Sequence, residues 1–308
     1  MKQQLLKALK EVEHFAEGSK WQRLRATPAR YLYAIGFRET LYRYQRKGKL
    51  KTIQTFFGER MQVTLPAGTD LYLVGGKTHS SEIRLARFMI QQLEPGDVFV
   101  DIGAHFGYFS LLAATLVGKG GKVFAFEAAE DTFSCLSTNL KPLPNCLAVH
   151  AAVNADGQVV TFFEFDPLHS EYNSTDVKQF EGQDWFEGNQ PKRKEVRGVQ
   201  LSRFLEEAAI TPNLIKIDVE GGEAAVIEGA LPFLHKHPVP IVMEYLNPER
   251  GNTPHREAAR DLLNAGYTPH AIQQSGSLLP LPDIENWYME QGIDSDNIVF
   301  VHPTLAKP

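Results

Sequence analysis

Apolar positions change their period along the chain, and each change marks a different kind of structure. Over the first fifty-odd residues they fall at broken helical spacing among good helix formers, interrupted at Thr27-Pro28, which predicts helices. Phe56-Phe57 and Met61–Leu65, a Pro66-Ala67-Gly68-Thr69-Asp70 turn, and Leu71–Val74 predict strand, turn and strand. Ile83, Leu85, Phe88, Met89 and Leu93 form the apolar stripe of a helix over 81–93. From Asp97 onward, short runs that are apolar throughout alternate with helical patterns. Strands are predicted at 98–100, 122–127, 146–153, 214–218 and 240–245, with helices at 106–117, 130–140, 223–234 and 254–264. Strands of that kind must be buried on both faces, so the expected fold is α/β: a doubly wound, mostly parallel, Rossmann-like sheet. Further strands are expected at 159–165, 195–199, 268–273 and 297–302. A polar loop at about 166–194 interrupts the alternation, and loops that long inside a compact domain usually carry function.

Composition narrows the class. With 308 residues, 43% hydrophobic and 22% charged, the chain can bury a sizeable core and is neither disordered nor fibrous. The expected division is a basic helical segment with a β-hairpin over 1–80, and a main domain over 81–308. Cys135 and Cys146 make neither a disulfide framework nor a four-thiolate metal site. No apolar run reaches the length of a membrane span, and MKQQLLKALKEVEHF lacks the apolar core of a secretory signal. A cytoplasmic protein in a reducing compartment is the expectation.

The net charge of −5 hides an asymmetry. Residues 20–51 hold ten basic residues against Glu39 alone, so this segment carries +9 and the remainder −14. Trp21, Tyr31, Tyr33, Phe37, Tyr42 and Tyr44 are interleaved among those charges. Two readings stand: peripheral contact with an anionic membrane or polymer, or a solvated helical face whose aromatics pack inward. Nucleic acid is not an expected partner, and nothing in the sequence sets the oligomeric state.

The most informative local pattern is Asp101-Ile102-Gly103-Ala104-His105-Phe106-Gly107, directly between a buried strand and a helix. Gly103 permits a tight turn and close approach of a ligand, and Gly107 lets the helix pack on the strand. The Gly-x-Gly-x-x-Gly pattern that seats a dinucleotide is absent. A carboxylate at Asp101, aimed at the ligand, would repel a pyrophosphate. It suits a positive group instead, such as the amino and sulfonium groups of S-adenosylmethionine. Glu127 closes the next strand, where an acid can accept two hydrogen bonds from a ribose diol.

DIGAHFGYFSLLAA, VFAFEA and LIKIDVEGGEAAVIEGA together resemble the FkbM-type S-adenosylmethionine-dependent methyltransferases, over roughly residues 82–246. The resemblance implies a class I methyltransferase sheet with a final antiparallel strand inserted, and transfer of a methyl group to a hydroxyl. It implies that Asp101, Gly103, Ala104 and Gly107 border the methionine part of the cofactor and that Glu127 holds the ribose. It further implies that Ala152, with Ala151, faces the adenine through backbone groups, and that Glu82 closes over the cofactor. The chain departs from the family in carrying His105 where Asn is common and Ala128 where Pro is common.

Methyl transfer to a hydroxyl needs alignment, exclusion of water and a base near the acceptor oxygen. Lys216, Asp218 and Glu220 alternate at the carboxyl end of a central strand, where open α/β sheets bind ligands, and are the candidate catalytic residues. A buried Lys216–Asp218 ion pair that merely holds the turn is the competing reading. A metal-assisted version would add Glu244 as an oxygen ligand, suited to magnesium rather than zinc; the simpler reading holds no metal. His235 and His237 have no third ligand at the right spacing and read as a helix end. His105 is either an acceptor-site partner or a helix cap, and His169, Tyr172, Asn173 and Ser174 are groups of the kind that recognise carbohydrate. Trp185 and Phe186 are expected to pack the loop down.

The expected activity is S-adenosylmethionine-dependent O-methylation of a sugar, polysaccharide or related secondary metabolite. The rivals are a nucleotide-dependent oxidoreductase on a similar sheet and a non-catalytic binding protein that keeps the cofactor fold.

Overall fold

The computed structural model describes residues 1–177, 180 and 184–305. Three helices, α1 (Lys2–Glu17), α2 (Lys20–Ala26) and α3 (Pro28–Phe37), lead through a π-helical turn (Arg38–Tyr42) into the short α4 (Arg43–Gln45). Leu5, Leu9, Val12 and Phe15 recur at helical spacing and bury one face of α1. That face joins the same apolar cluster as the helices of the main sheet. Ser19 caps α2 through a reciprocal pair with Gln22, and Pro28 opens α3, where its missing N–H costs nothing.

The hairpin consists of β1 (Lys49–Gln54) and β2 (Arg60–Leu65), one strand earlier than expected. Leu71–Val74 is not a strand but lies in α5 (Thr69–Val74). Asp70 in its first turn accepts the N–H of Leu71 at 2.7 Å and of Thr78 at 3.2 Å, and Gly75 ends it at φ +71. The α6 helix (Ser80–Gln92) follows.

Next come β3 (Val98–Ile102), α7 (Tyr108–Val117), β4 (Lys122–Glu127), α8 (Glu130–Leu140) and β5 (Cys146–His150). The apolar run expected as one strand over 146–153 breaks at Ala151. Its second part, β6 (Ala152–Asn154), leaves the sheet to pair with a later strand. Then follow β7 (Val160–Glu164), α9 (Asp184–Glu187), β8 (Lys192–Val196), β9 (Gly198–Gln200), α10 (Leu201–Glu207), β10 (Leu214–Ile217), α11 (Glu223–Leu234), β11 (Ile241–Leu246) and α12 (Thr253–Asn264). The chain closes with β12 (Thr268–Ile272), β13 (Leu278–Pro280), α13 (Ile284–Gln291) and β14 (Ser295–Val301). The β13 strand and α13 lie in what the sequence presents as a plain connection. Of the polar loop expected over 166–194, positions 178–179 and 181–183 lie outside the described residues.

The main sheet has the order β13-β12-β14-β11-β10-β3-β4-β5. From β11 to β5 all neighbours are parallel; β14 runs antiparallel between β11 and β12. This is the doubly wound class I methyltransferase sheet, with its inserted antiparallel strand. One apolar layer joins it to α1, α6, α7 and α8, and the other to α10, α11 and α12. Carboxyl ends of β4, β3, β10 and β11 therefore stand side by side, and the site lies above them.

Candidate active site

The turn after β3 hangs on the end of β4: Gly103 and Ala104 donate their N–H groups to the Phe126 carbonyl at 3.0 and 2.9 Å. Gly103 at φ +77, His105 at φ +51 and Gly107 at φ +88 give the turn its left-handed course. The αL backbone at His105 is one that Asn adopts readily, which accounts for the Asn common in related turns. That course aims the His105 N–H at Glu127 Oε2, 2.8 Å away, while Oε1 accepts the Ala129 N–H at 2.9 Å. Burial pushes the Glu127 carboxyl up to about 7, against the two backbone donors that favour its charge.

A cavity of about 430 Å³ opens over these strand ends. Glu127, Ala128, Ala152, Asn154 and Phe162 line one end, Gly103 and His105 the middle, and Asp218, Glu220, Glu244, Arg250 and Asn297 the other. Ser170, Glu171, Tyr172, Asn173 and Thr175 from the polar loop also line it. His105 Nε2 lies 3.1 Å from Ser170 Oγ, tying the turn to that loop, and burial holds its imidazole down at about 4. Lys77 reaches Glu82 at 3.0 Å and Glu171 at 3.1 Å, so Glu82 lines the cavity as part of an ion-pair network. Trp185 stacks on His169 and Tyr172, with ring centroids 5.0 and 4.7 Å apart, so it packs the loop on itself. His235 and His237 are exposed just past the end of α11, away from the cavity.

Asp101, expected to point toward the ligand, does not line the cavity. It is fully buried, accepts the Ser110 hydroxyl at 2.6 Å, and stands 3.6 Å from Lys216 Nζ. The reason is register: Lys216 sits directly opposite Asp101 in the parallel ladder, and such neighbours share a face. Ala104 and Gly107 also lie behind the cavity wall. Gly107 leaves room for Leu136, whose Cδ1 would be 2.6 Å from an added Cβ. Gly103, Glu127, Ala152 and Glu82 do line the cavity.

On the other side Lys216 is buried, with Nζ 3.0 Å from Asp218 Oδ2 and 5.4 Å from the Phe109 ring centre. Burial opposes its charge, but Asp218 and Asp101 outweigh burial and raise its pKa, so it remains an ammonium. For Asp218, burial works upward and the Lys216 ammonium prevails, holding the carboxyl below its ordinary range. Glu220 and Glu244 are pushed well up, first by burial and then by the charge of Asp218, and Glu244 shares a hydrogen bond with Asp218. Strand β10 ends at Ile217, and Glu220 reaches the cavity from a left-handed backbone at φ +55 rather than from a strand position. Carboxylate oxygens of Asp218, Glu220 and Glu244 lie within 4.8 Å of one another. Such a trio could hold either a hard divalent cation or shared protons.

Sequence reasoning missed Asn154, Phe162, Arg250 and Asn297 as cavity residues. Asn297 was the findable one, since Ser295, Asp296 and Asn297 form the polar start of an otherwise apolar strand. Lys77 and Glu171 meet across 94 residues, a pairing without local signature.

The residues present fit S-adenosylmethionine. Gly103 offers bare backbone at the centre of the cavity floor, and Glu127 presents a buried carboxyl at the end of the second strand of the parallel series. Sheet, glycine turn and acid together define a class I S-adenosylmethionine-dependent methyltransferase. The chain belongs to the FkbM methyltransferase family, whose domain model, methyltransferase FkbM domain, matches residues 101–269. It is 25% identical over 146 residues to the hexuronic acid methyltransferase AglP of Haloferax volcanii, covering 46% of this chain and 54% of that one. The chain thus spans about half the length of that curated relative. A solved FkbM methyltransferase from Methylobacillus flagellatus is similar at 12% identity and a TM-score of 0.41, covering 76% of this chain and 52% of the other. Aeropyrum pernix fibrillarin, solved with S-adenosyl-L-methionine, is similar at 14% identity and a TM-score of 0.40, covering 71% and 74%. At these scores the two structural likenesses carry no functional argument.

Proposed function

We propose that this chain methylates a hydroxyl group of a sugar, polysaccharide or related metabolite. The observation that carries the reading is Asp218: a carboxylate in the cavity wall beside the Gly103 turn, 3.0 Å from the buried Lys216 ammonium and with an oxygen within 4.8 Å of those of Glu220 and Glu244. Gly103, Glu127, Ala128 and Ala152 would hold S-adenosylmethionine, which supplies an electrophilic methyl group when bound. Lys216, buried in the cavity wall, favours the charge of Asp218, and Asp101 supports Lys216 from behind that wall.

Asp218 accepts the acceptor's hydroxyl proton as the oxygen becomes bonded to carbon. A weak base suffices, because the hydroxyl grows acidic as that bond forms. Lys216 cannot take this part, since its pKa is raised and it stays an ammonium, and burial with the charge of Asp218 disfavours the ionised form of Glu220 and Glu244. Glu244 instead supports the Asp218 charge by hydrogen bonding. Tyr172, Asn173 and Asn297 offer hydrogen-bonding groups to a polyhydroxylated ring, and the loop bearing the first two helps exclude water. Arg250 adds a cation at that end, where it faces Glu220 and suits a carboxylate-bearing sugar. The relative named as a hexuronic acid methyltransferase supports the same acceptor class.

The test is transfer of labelled methyl from S-adenosylmethionine to a panel of neutral and uronic-acid glycans. Alkali-stable label on a glycan is expected, since ethers resist hydrolysis that removes esters. Alkali-labile label would mean transfer to a carboxylate and would overturn the hydroxyl reading. Binding of NAD without binding of S-adenosylhomocysteine in calorimetry would overturn the methyltransferase reading itself.

A further inference from the structure

We infer that the outward face of residues 20–50 is a docking surface for an anionic lipid bilayer. The helical stretch from Pro28 through Gln45 has two faces of opposite character. Ala34, Phe37 and Tyr42 are buried, and Phe37 and Tyr42 pack with Leu65 and Tyr72. Leu32, Gly36, Thr40 and Tyr44 recur every fourth residue on the opposite side, and all are exposed. The exposed apolar groups are large: Trp21 is 74% accessible, Tyr44 89%, Leu32 64%, Leu41 56% and Leu50 59%. A folded chain does not ordinarily leave so many large side chains in water within thirty residues.

The same segment is strongly cationic. Lys20, Arg25, Arg38, Arg43, Lys47 and Lys49 are all exposed, and the lone acid of the segment, Glu39, is neutralised by Arg38 at 2.8 Å. Trp, Tyr and Leu flanked by Lys and Arg are the composition that settles at the headgroup boundary, where apolar insertion and attraction to anionic lipids add. A soluble polyanion would use the charges but has no use for Leu32, Leu41 and Leu50. A second copy of this chain would bring the same +9 segment against itself, which disfavours self-pairing. No helix among the described residues is long and apolar enough to cross a membrane, so the contact is peripheral.

The segment that bears this surface also touches, from its inward side, the loop that leads to the site. Tyr42 accepts the Leu168 N–H through its hydroxyl at 2.9 Å, and Arg46 reaches Asp166 at 3.2 Å, both in the loop that leads to the cavity-lining residues 170–175.

Co-sedimentation of the full chain with vesicles tests this. Binding is expected to vesicles of phosphatidylcholine with about 30% phosphatidylglycerol but not to phosphatidylcholine alone, weakened at least about tenfold by 0.5 M salt. A triple variant, Trp21→Ser, Leu32→Ser and Tyr44→Ser, alters only exposed groups. It should lose at least about tenfold in vesicle affinity while keeping its retention on heparin. Vesicle binding by that variant equal to wild type would overturn the inference, as would heparin binding without vesicle binding. Concentration-dependent dimerisation without vesicle binding would assign the face to a second copy instead. None of these outcomes depends on methyl transfer, so their failure leaves the proposed activity standing.

Discussion

A Cβ on Gly103 would stand 1.7 Å from the carbonyl oxygen of Asp218, so the cofactor turn and the end of β10 are packed backbone to backbone. The Asp218 N–H completes the lock by donating to the Ile102 carbonyl at 3.0 Å. Gly103→Ala must push these two segments apart, and it also forces a side chain into φ +77. Loss of S-adenosylhomocysteine binding and a melting temperature lower by several degrees are expected, read by calorimetry and thermal shift. Wild-type affinity in this variant would show that the lock does not shape the site.

Asp218→Asn separates chemistry from binding. The amide keeps the shape of the side chain and its contact with β10 but cannot take a proton. Turnover should fall at least about tenfold while affinity for S-adenosylhomocysteine stays within about threefold, the pattern of a group that acts only in the reaction. Turnover equal to wild type would remove Asp218 from the mechanism.

The sheet and the Gly103 turn are legible in the sequence because both depend on short-range pattern. Val98–Val100 and Ile241–Met243 are apolar throughout, and Gly103 and Gly107 stand where strand meets helix. Where Asp101 points is not legible, because its face depends on the neighbour opposite it, and only the β3–β10 register brings Lys216 there. The same limit hides the Lys77–Glu171 pair and the place of Arg250. Leu71–Val74 reads as a strand because a four-residue apolar run has no period of its own; Asp70 and Gly75 decide for helix. The strand pair at 268–273 and 297–302 is legible in its own pattern, whereas the insertion of the second between the first and β11 follows only from the family resemblance, since strand order is a property of the whole sheet.

Glu127 sets a pH dependence for cofactor binding. Its carboxyl titrates at about 7, and ribose hydroxyls donate to the ionised form, so affinity should be about tenfold weaker at pH 6 than at pH 8. The KM for S-adenosylmethionine should therefore fall as pH rises through 7, while kcat changes little. Glu127→Gln should weaken binding at pH 8 by about tenfold or more and make it independent of pH over this range. A variant that still shows the wild-type pH profile would place the titration elsewhere.

Stability of the cofactor-free protein should move the other way with pH. Asp70 and Glu127 are both pushed up by burial to about 7, well above their unfolded values near 4. Groups raised on folding contribute stability that is fully present below the unfolded pKa and lost as pH rises through the folded one. Asp218 and Glu171 are held below their ordinary values instead, and their stabilisation is lost only as pH falls below about 5. Between pH 5.5 and 8 the raised groups therefore decide the sign, each weakening the fold by about 2 kcal/mol. Thermal shift without cofactor should give a melting temperature several degrees higher at pH 5.5 than at pH 8. Asp70→Asn, which keeps an acceptor for the Leu71 and Thr78 N–H groups but cannot ionise, should flatten that slope without abolishing it, since Glu127, Glu220 and Glu244 are also raised. A slope of the opposite sign in the wild type would mean that these two carboxyls are not buried as the structure has them.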